Sequence, residues 1–257
     1  MTQAIDPTSG PVLVTGAARR IGRAIAEWFS CAGRPVVLHG HPHSADALEA
    51  IARSIVSNGG AAAVVLADLT DAAATETVLA RALESFGPPS LLVNNASIFE
   101  VDTAHDFTIE RFDRHLAVNL RAPVQLGRAF VDALPAAQLG SIVNIIDQRV
   151  WRLTPQFFTY TLAKAALWTA TQTMAQAYAP RVRVNAVGPG PVLPNEALSV
   201  AEFEQESRNV LLEAAVPVAQ IIEAIAYLDG AGSVTGQMIA VDNGQHLSWQ
   251  TPDVVGG

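Results

Sequence analysis

Short apolar runs alternate with longer segments of helical periodicity along almost the whole chain. Several of the runs are nearly continuous in Val, Ile and Leu, as expected of parallel strands that are buried on both faces. The predicted strands are Pro11–Thr15, Pro35–His39, Ala62–Leu66, Leu91–Asn94, Ser141–Ile146, Arg183–Val187 and Gln237–Val241. This alternation predicts an α/β fold in which one doubly wound parallel sheet is flanked by helices, in a single domain over residues 1–257.

The segments between the strands carry apolar residues at the spacing of an amphipathic helix. Between the first two strands the residues at this spacing are Ile21, Ile25, Trp28 and Phe29, with Gly33 as a helix stop. Further helices are predicted over Ala45–Ser57, Asp71–Phe86, Ile109–Leu134, Phe158–Ala179 and Val218–Leu228. The Pro- and Gly-rich segment Gly188–Leu198 follows a strand, which makes it a candidate lid.

Composition excludes several classes of function. The formal net charge of -8 at pH 7 lacks the cationic excess that general nucleic-acid binding needs. No apolar run reaches the roughly 18 residues that cross a bilayer, and the opening MTQAIDPTSG has no signal-peptide pattern. The single cysteine, Cys31, cannot form an internal disulfide and fits a reducing cytoplasm. We therefore expect a cytoplasmic protein that acts on a small molecule, without nucleic-acid or membrane partners.

The stretch VTGAARRIG, Val14–Gly22, joins a strand to an amphipathic helix, which is the context that a dinucleotide fingerprint requires. Gly16 would form the tight turn and Gly22 would let the helix pack closely, while the helix N-terminus would bind a pyrophosphate. A plain strand-to-helix turn is the alternative. Arg19 and Arg20 favour the fingerprint, because cations at a helix N-terminus oppose the helix dipole unless an anion lies nearby.

The end of the second strand favours NADP over NAD. An NAD-binding strand usually ends with Asp or Glu for the ribose hydroxyls, but this strand ends with His39, and no carboxylate appears before Asp46. The alternating His39, His41 and His43 could instead form a metal site. We do not expect a metal there, because no Cys or carboxylate joins them and an extended chain splays the rings. Asp68, after the third strand, could hold the adenine edge or cap a helix.

Two later motifs complete the candidate site. Tyr160 and Lys164 lie four residues apart in YTLAK, on one face of a predicted helix. A neighbouring ammonium stabilises a phenolate and would lower the pKa of the tyrosine toward the working pH. A chance Tyr–Lys pair is the alternative for this motif alone. The motif NNAS, Asn94–Ser97, ends the fourth strand at the expected nicotinamide position; its glycosylation pattern is discounted without a secretory signal.

The motifs TGAARRIG, NNAS, AVNL, YTLAK, RVNAVGPG and VTGQMIAVDNG occur in this order. With them the chain resembles the short-chain dehydrogenase/reductase family from about Pro11 to Leu247. The resemblance implies a seven-stranded Rossmann sheet, a homotetramer and a catalytic group made of Asn119, Asp147, Tyr160 and Lys164. It also implies that NADP(H) is bound by Gly16, Arg19, Arg20, Ile21, Gly22, His39, Asp68, Leu69, Asn95, Ala96, Ser97, Tyr160, Lys164, Pro189 and Gly190.

One member of this catalytic group departs from the family pattern. Asp147 occupies the position of the family's serine, 13 residues before Tyr160. This aspartate, Arg20 at the middle glycine of the loop, LHGH after the second strand and Phe99 after NNAS resemble the pteridine reductase branch. That branch stacks a pterin between the phenylalanine and the nicotinamide, and similar bacterial proteins reduce dihydromonapterin or dihydrofolate. The implied substrate contacts are Arg20, Ser97, Phe99, Asp147 and Tyr160.

Physical reasoning on the residues agrees with a pterin. A carboxylate would repel the oxyanion that develops on a ketone, whereas a pterin offers ring nitrogens to protonate and an amino-pyrimidine edge with donors for Asp147. Arg20 could bridge the pyrophosphate and the pterin. A reductase of ketones or 3-oxoacyl thioesters is the second hypothesis. A dinucleotide-binding protein without turnover is the third, and the intact Tyr160 and Lys164 argue against it.

Three features do not follow the resemblance. The branch's substrate loop is not recognisable in Gly188–Leu198, and Asn243 replaces a glycine that is usual in the family. The chain also continues beyond a typical family end. We expect residues 1–10 and 249–257 to be flexible tails. Trp249 either reaches the active site of a neighbouring subunit or is a surface or tail residue.

Overall fold

The fold is described by a computed structural model that covers residues 10–194 and 199–249. The predicted tails therefore lie outside the described residues, apart from Gly10 and Trp249. The seven strands found there are β1 (Val12–Val14), β2 (Val36–Gly40), β3 (Ala62–Leu66), β4 (Leu91–Asn94), β5 (Gly140–Ile145), β6 (Val182–Pro189) and β7 (Met238–Val241).

All neighbouring strands pair in parallel, in the order β3-β2-β1-β4-β5-β6-β7. The predicted fold class, a doubly wound seven-stranded parallel sheet, is confirmed. The strand order reverses between β1 and β4, and in open α/β sheets ligands bind in the crevice at such a reversal. A ligand crevice is therefore expected at the carboxyl ends of β1 and β4.

The helices of the described residues are α1 (Arg20–Cys31), α2 (Ala45–Ser57), α3 (Ala72–Phe86), α4 (Ile109–Leu116), α5 (Ala122–Ala133), α6 (Phe158–Tyr178), α7 (Val200–Arg208) and α8 (Val218–Gly230). None of them is both long and apolar enough to span a membrane. The prediction of one helix over Ile109–Leu134 is wrong in one respect. A π-helical turn, Ala117–Arg121, separates α4 from α5.

Two further elements differ from the prediction. Strand β6 continues to Pro189 because Gly188 and Pro189 pair with Ala240 and Val241 of β7, so the candidate lid begins inside the sheet. Helix α7 was not predicted. Its sequence VAEFEQESR is polar, and Ser207 is its one buried residue, so it has no apolar stripe to find. A capping box between Ser199 and Glu202 begins it.

The core has two layers because strand side chains alternate between the faces of the sheet. Val12 and Val14 pack into the layer under α1, α2 and α8, whereas Leu13 between them packs into the layer under α3, α5 and α6. All three strand residues are fully buried. Such two-sided burial explains why the strands read as continuous apolar runs.

Candidate active site

A cleft of about 780 Å³ opens at the carboxyl ends of the strands, where the strand order reverses. Nearly all the predicted site residues line it, and one, Asn119, does not. Those that do are Gly16, Arg19, Arg20, Ile21, Gly22, His39, Asp68, Leu69, Asn95, Ala96, Ser97, Phe99, Asp147, Tyr160, Lys164, Pro189 and Gly190. Residues distributed over the chain thus meet in one place.

The loop between β1 and α1 has the geometry of a phosphate-binding turn. Gly16 has a φ of +66°, and a Cβ there would lie 2.9 Å from the Cα of Ala96. A Cβ on Gly22 would lie 2.2 Å from the carbonyl oxygen of Gly16. Both positions therefore require glycine. Helix α1 has no side-chain cap and no acidic residue in its first turn, so its N-terminal N–H groups suit a pyrophosphate.

Arg20 occupies a backbone conformation that favours glycine, with a φ of 53°. Its guanidinium donates hydrogen bonds to the carbonyl oxygens of Pro194, at 2.6 Å, and Leu193, at 3.0 Å. Both carbonyls belong to the described part of the candidate lid. The structure therefore joins the phosphate loop to the lid through Arg20. The predicted bridge from Arg20 to a pterin stays a prediction.

Thr15, which the sequence analysis missed, holds the NNAS turn against the phosphate loop. Its Oγ1 accepts hydrogen bonds from the backbone N–H groups of Asn95, at 2.9 Å, and Ala96, at 3.0 Å. The Nδ2 of Asn95 donates to the carbonyl oxygen of Thr15 at 2.9 Å. Thr15 directly follows β1 and opens the motif TGAARRIG, but local sequence does not show a contact with a turn that lies 80 residues further along the chain.

Asn119 contributes to the site through the backbone of Ile98. Its Oδ1 accepts from the Ile98 N–H at 2.9 Å, and its Nδ2 donates to the Ile98 carbonyl at 2.8 Å. The π-helical turn that interrupts the predicted helix carries this fully buried side chain. π-Helical turns are frequent at functional sites. Asn119 therefore fixes the backbone directly after the NNAS turn and does not line the cleft.

His39 lines the cleft, but it does not supply a charge. Only 1% of the residue is exposed, and its Nε2 lies 3.3 Å from the Ala67 carbonyl oxygen. Burial lowers the pKa of His39 to about 4, so the ring is neutral at pH 7. A neutral ring at this position adds no negative charge that would exclude a 2′-phosphate, and the predicted contact of His39 with the cofactor stays a prediction.

Two residues beyond β2 lie with His39 and Asp68 in the wall of the cleft. His41 and Ser44 both line the cleft, and the sequence analysis did not select them as cofactor contacts. His41 Nε2 lies 3.6 Å from Asp68 Oδ2. Asp68 accepts from the N–H and hydroxyl of Thr70, while Asp71 caps α3, so the helix-cap alternative for Asp68 is wrong. The signal was present in the polar run HPHS that follows β2.

Asp147, Tyr160 and Lys164 meet where β5 and α6 enter the cleft. Tyr160 donates its phenolic hydrogen to Asp147 Oδ2, with the oxygens 2.9 Å apart. The other carboxylate oxygen, Oδ1, accepts from the N–H of Arg149 at 2.8 Å. Lys164 is 2% exposed and donates to the carbonyl oxygen of Ile145 at 2.8 Å. The aspartate thus holds the tyrosine directly, and the lysine is held by the end of β5.

The electrostatics of this group differ from the prediction. Burial, reinforced by the negative charge of Asp147, raises the pKa of Tyr160 well above its usual value. Burial also raises the pKa of Asp147 and lowers that of Lys164 to about 8. The expectation that Lys164 lowers the pKa of Tyr160 is therefore wrong in this structure, because the carboxylate is in contact with the phenol. Tyr160 is a neutral proton donor beside a proton acceptor.

An aromatic stack borders the same group. Phe99 stacks on Phe157 with ring centroids 4.2 Å apart and 12° between the planes. The Arg149 guanidinium lies 4.7 Å from the Phe157 centroid, and Phe99 meets Tyr160 at 83°. A planar ring in the cleft could therefore stack on Phe99 only on the face opposite Phe157. Neither Phe157 nor Arg149 was selected from the sequence, because their roles depend on the fold of the loop between them.

The two unusual residues near the end of the chain have simple descriptions. Asn243, which replaces the family's glycine, has a φ of 52° and donates from Nδ2 to the Ala214 carbonyl at 2.7 Å. Asparagine tolerates this left-handed conformation better than most residues. Trp249 is 58% exposed. Its predicted contact with a neighbouring subunit stays a prediction.

Similar proteins of known name agree with this architecture. The chain matches the family described as enoyl-(acyl carrier protein) reductase over residues 16–246. The solved structure of FolM alternative dihydrofolate reductase 1 from Brucella canis, complexed with NADP, is 48% identical. It superposes with a TM-score of 0.93 and covers 97% of this chain and 99% of its own.

Two curated relatives are named for substrates other than dihydrofolate. 3beta-hydroxysteroid dehydrogenase 1 of Eggerthella lenta is 31% identical, over 92% of this chain and 93% of its own length. Human L-xylulose reductase is 33% identical, over 91% and 95% respectively. The matched range covers the phosphate loop, the NNAS turn and the Tyr160–Lys164 pair. The protein belongs to the short-chain dehydrogenase/reductase family and is an oxidoreductase of that family.

Proposed function

We propose that this protein reduces the ring of a pterin, such as a dihydropterin, dihydromonapterin or dihydrofolate, with NADPH. One observation carries the proposal: Asp147 takes the place of the family's serine and accepts a hydrogen bond from Tyr160 at 2.9 Å. The family's ketone chemistry needs a neutral donor at this position. A carboxylate there suits a substrate that presents N–H donors and nitrogens to protonate.

NADP(H) is the cofactor of the proposed reaction. The Brucella canis relative was solved with NADP, and no carboxylate stands between the end of β2 and Asp46 to exclude a 2′-phosphate. The two glycines of the phosphate loop leave room for the close approach of a pyrophosphate. Arg19, His41 and Ser44 line the adenosine end of the cleft and would hold the 2′-phosphate. When bound, the reduced nicotinamide supplies a hydride.

The residues of the chain would handle the proton that accompanies the hydride. Tyr160 is protonated at pH 7 because its pKa is raised, so its Oη can donate to a ring nitrogen of the substrate. Asp147 would accept the pterin's amino-pyrimidine donors, and a proton taken up from solvent by its carboxylate would then be passed to the phenolate to restore the phenol. The ammonium of Lys164 would stabilise the phenolate formed during the transfer. The exposed face of Phe99 would hold the ring by stacking.

A reductase of ketones or 3-oxoacyl thioesters is the second candidate. The names of the curated relatives, a hydroxysteroid dehydrogenase and a xylulose reductase, favour it. Against it, the carboxyl group of Asp147, in place of a serine hydroxyl, would lie beside the developing oxyanion. The homotetramer implied by the family resemblance, with Trp249 near a neighbouring site, is a further proposal that light scattering on the purified protein would test.

The deciding experiment measures NADPH oxidation with dihydropterins, dihydrofolate and a panel of ketones and sugars side by side. We expect turnover with at least one pterin-type substrate and little with the ketones. The Tyr160→Phe variant keeps the ring but not the proton, and it should turn over at least about 10²-fold more slowly. Turnover of ketones alone would reject the proposal. Equal rates in the Tyr160→Phe variant would show that another group donates the proton.

A further inference from the structure

A buried network of three polar side chains lies next to Tyr160 and has no part in the site described so far. Asp102, His115 and Thr159 are each at most 2% exposed. The carboxylate of Asp102 accepts hydrogen bonds from the backbone N–H of Thr159, at 3.1 Å, and from the Thr159 hydroxyl. The same hydroxyl oxygen lies 2.7 Å from Nδ1 of His115.

The direction of these hydrogen bonds follows from the donors available. The Thr159 hydroxyl has a single hydrogen, and it donates this hydrogen to the carboxylate of Asp102. Nδ1 of His115 must then carry a hydrogen and donate to the Thr159 oxygen. Burial lowers the pKa of His115, which keeps the ring neutral. Its Nε2 is a buried acceptor without a hydrogen bond in the part of the chain that the structure describes.

Each member of the network belongs to a segment that carries a residue of the site. Asp102 follows Phe99 on the segment after β4, and His115 lies on α4, one turn before Asn119. Thr159 precedes Tyr160 in the first turn of α6. The N-cap residue of α6, Phe157, has no side-chain cap, so the carboxylate of Asp102 acts in its place. The network therefore connects the segment that carries Phe99, the helix that precedes the π-helical turn, and the first turn of α6 with Tyr160.

We propose that Asp102, Thr159 and His115 are positioning residues, which hold Tyr160 in contact with Asp147 and in register with Phe99. They act through Tyr160, because none of these three described residues lines the cleft. The His115 ring also packs against Tyr160, with centroids 6.1 Å apart and 72° between the planes. Since a misplacement of about 1 Å can reduce a catalysed rate by about 10²-fold, loss of the network should reduce turnover more than binding.

The test compares Thr159→Val, which removes the hydroxyl and keeps the shape, with Thr159→Ser, which keeps the hydroxyl. Thr159→Val should lower kcat by roughly 10-fold or more, with KM and the NADPH Kd changed by less than about twofold. Thr159→Ser should recover most of the rate. The matched control is Thr171→Val on the same helix, where a fully buried hydroxyl accepts from Asn144 Nδ2 at 2.8 Å. This control should keep its kcat.

A second readout does not need an identified substrate. The ultraviolet titration of Tyr160 is obtained as the difference between each protein and its Tyr160→Phe counterpart. Burial and the neighbouring Asp147 raise the pKa of the phenol, and Arg149 opposes them; Lys164 and neutral His115 are the other nearby titratable groups. If Thr159→Val loosens the contact with Asp147, the pKa of Tyr160 should fall toward its usual value. This result would stand even if the substrate were a ketone.

The proposal is overturned if folded Thr159→Val keeps both the wild-type kcat and the wild-type titration of Tyr160. It is also overturned if Thr171→Val loses as much turnover, since the effect would then be general destabilisation, or if Thr159→Ser fails to recover the rate. Should Thr159→Val not fold, Asp102→Asn and His115→Gln put the same two measurements to the other members of the network.

Discussion

The phenol of Tyr160 donates a hydrogen bond to the carboxylate of Asp147, with 2.9 Å between the oxygens. In most members of the family this position is a serine, whose hydroxyl can donate to a substrate oxygen without adding charge. Here burial of the phenol, reinforced by the carboxylate of Asp147, raises the pKa of Tyr160 and keeps it protonated. In the function that we propose, this pair gives one proton and takes up another, and the carboxylate favours substrates that present N–H donors.

Asp147→Ser tests this relationship directly. The change restores the family's usual serine and removes the acceptor for an amino-pyrimidine edge. We expect pterin reduction to be lost and NADPH binding to stay, with weak ketone reduction as a possible gain. The pKa of Tyr160 should also fall, because the neighbouring negative charge is gone. Steady-state assays and NADPH fluorescence titration check the result; undiminished pterin reduction would remove Asp147 from the mechanism.

Lys164 should cost stability while it serves activity. Its pKa is lowered by burial to about 8, against an ordinary value near 10.4 in the unfolded chain. The unfolded state therefore holds this proton more tightly, and the resulting penalty, on the order of 3 kcal/mol, is present in full below pH 8. It disappears as the pH rises from 8 to above 10, so this group makes stability increase with pH there.

The Lys164→Met variant exposes this penalty. At pH 7 it should unfold at higher denaturant concentration than the wild type, and the difference should shrink between pH 8 and 10. Turnover should meanwhile fall by roughly 10²-fold or more, because the phenolate loses its cation. Denaturation curves measured without cofactor at several pH values check the first part. If the difference in stability between the variant and the wild type does not depend on pH, packing and not charge would be its cause.

Phe99→Ala should weaken the binding of a pterin by about 1–3 kcal/mol, the usual loss when a heterocycle loses an aromatic partner. NADPH affinity should stay nearly constant. Phe107→Ala is a suitable control, since Phe107 packs on Phe112 and Phe158 and does not line the cleft. Dihydropterin KM values for the two variants decide the matter, and an unchanged KM in Phe99→Ala would refute stacking.

Arg20→Gly and Arg20→Ala separate backbone strain from the contact with the lid. Both variants lose the hydrogen bonds to Leu193 and Pro194. Only glycine relieves the φ of 53°, so Arg20→Gly should be more stable than Arg20→Ala by about 1 kcal/mol. NADPH should bind to both, while the substrate KM rises in both. Equal stabilities would show that the backbone relaxes at this position.

The preference for NADP(H) over NAD(H) should depend on the side chains of His41 and Ser44 more than on that of His39. We expect NADP(H) to bind much more tightly than NAD(H). His41→Ala and Ser44→Ala should reduce the ratio of the two affinities. His39→Gln should leave this ratio unchanged because His39 is buried and neutral. Titration of each protein with both reduced cofactors gives the ratio. A wild-type protein with equal affinities would contradict the NADP assignment itself.

The sequence by itself determined the fold class and predicted many of the residues that line the cleft. Strands buried on both faces must be apolar throughout, and helices packed on one side must carry apolar residues every three to four positions. Both patterns are therefore visible in the sequence. Local patterns were visible too: Gly16 and Gly22 stand at the spacing of a phosphate loop between a strand and a helix, and Tyr160 and Lys164 share one helical face. These features depend on near neighbours in the chain.

Only the tertiary structure decided the charge states and the supporting contacts. That His39 is neutral, and that Tyr160 has a raised pKa, follows from burial and from a carboxylate 13 residues away. Likewise, the network of Asp102 with Thr159 spans 57 residues of chain. Desolvation and the close approach of charges depend on which segments the fold brings together, and neither quantity is encoded in local spacing.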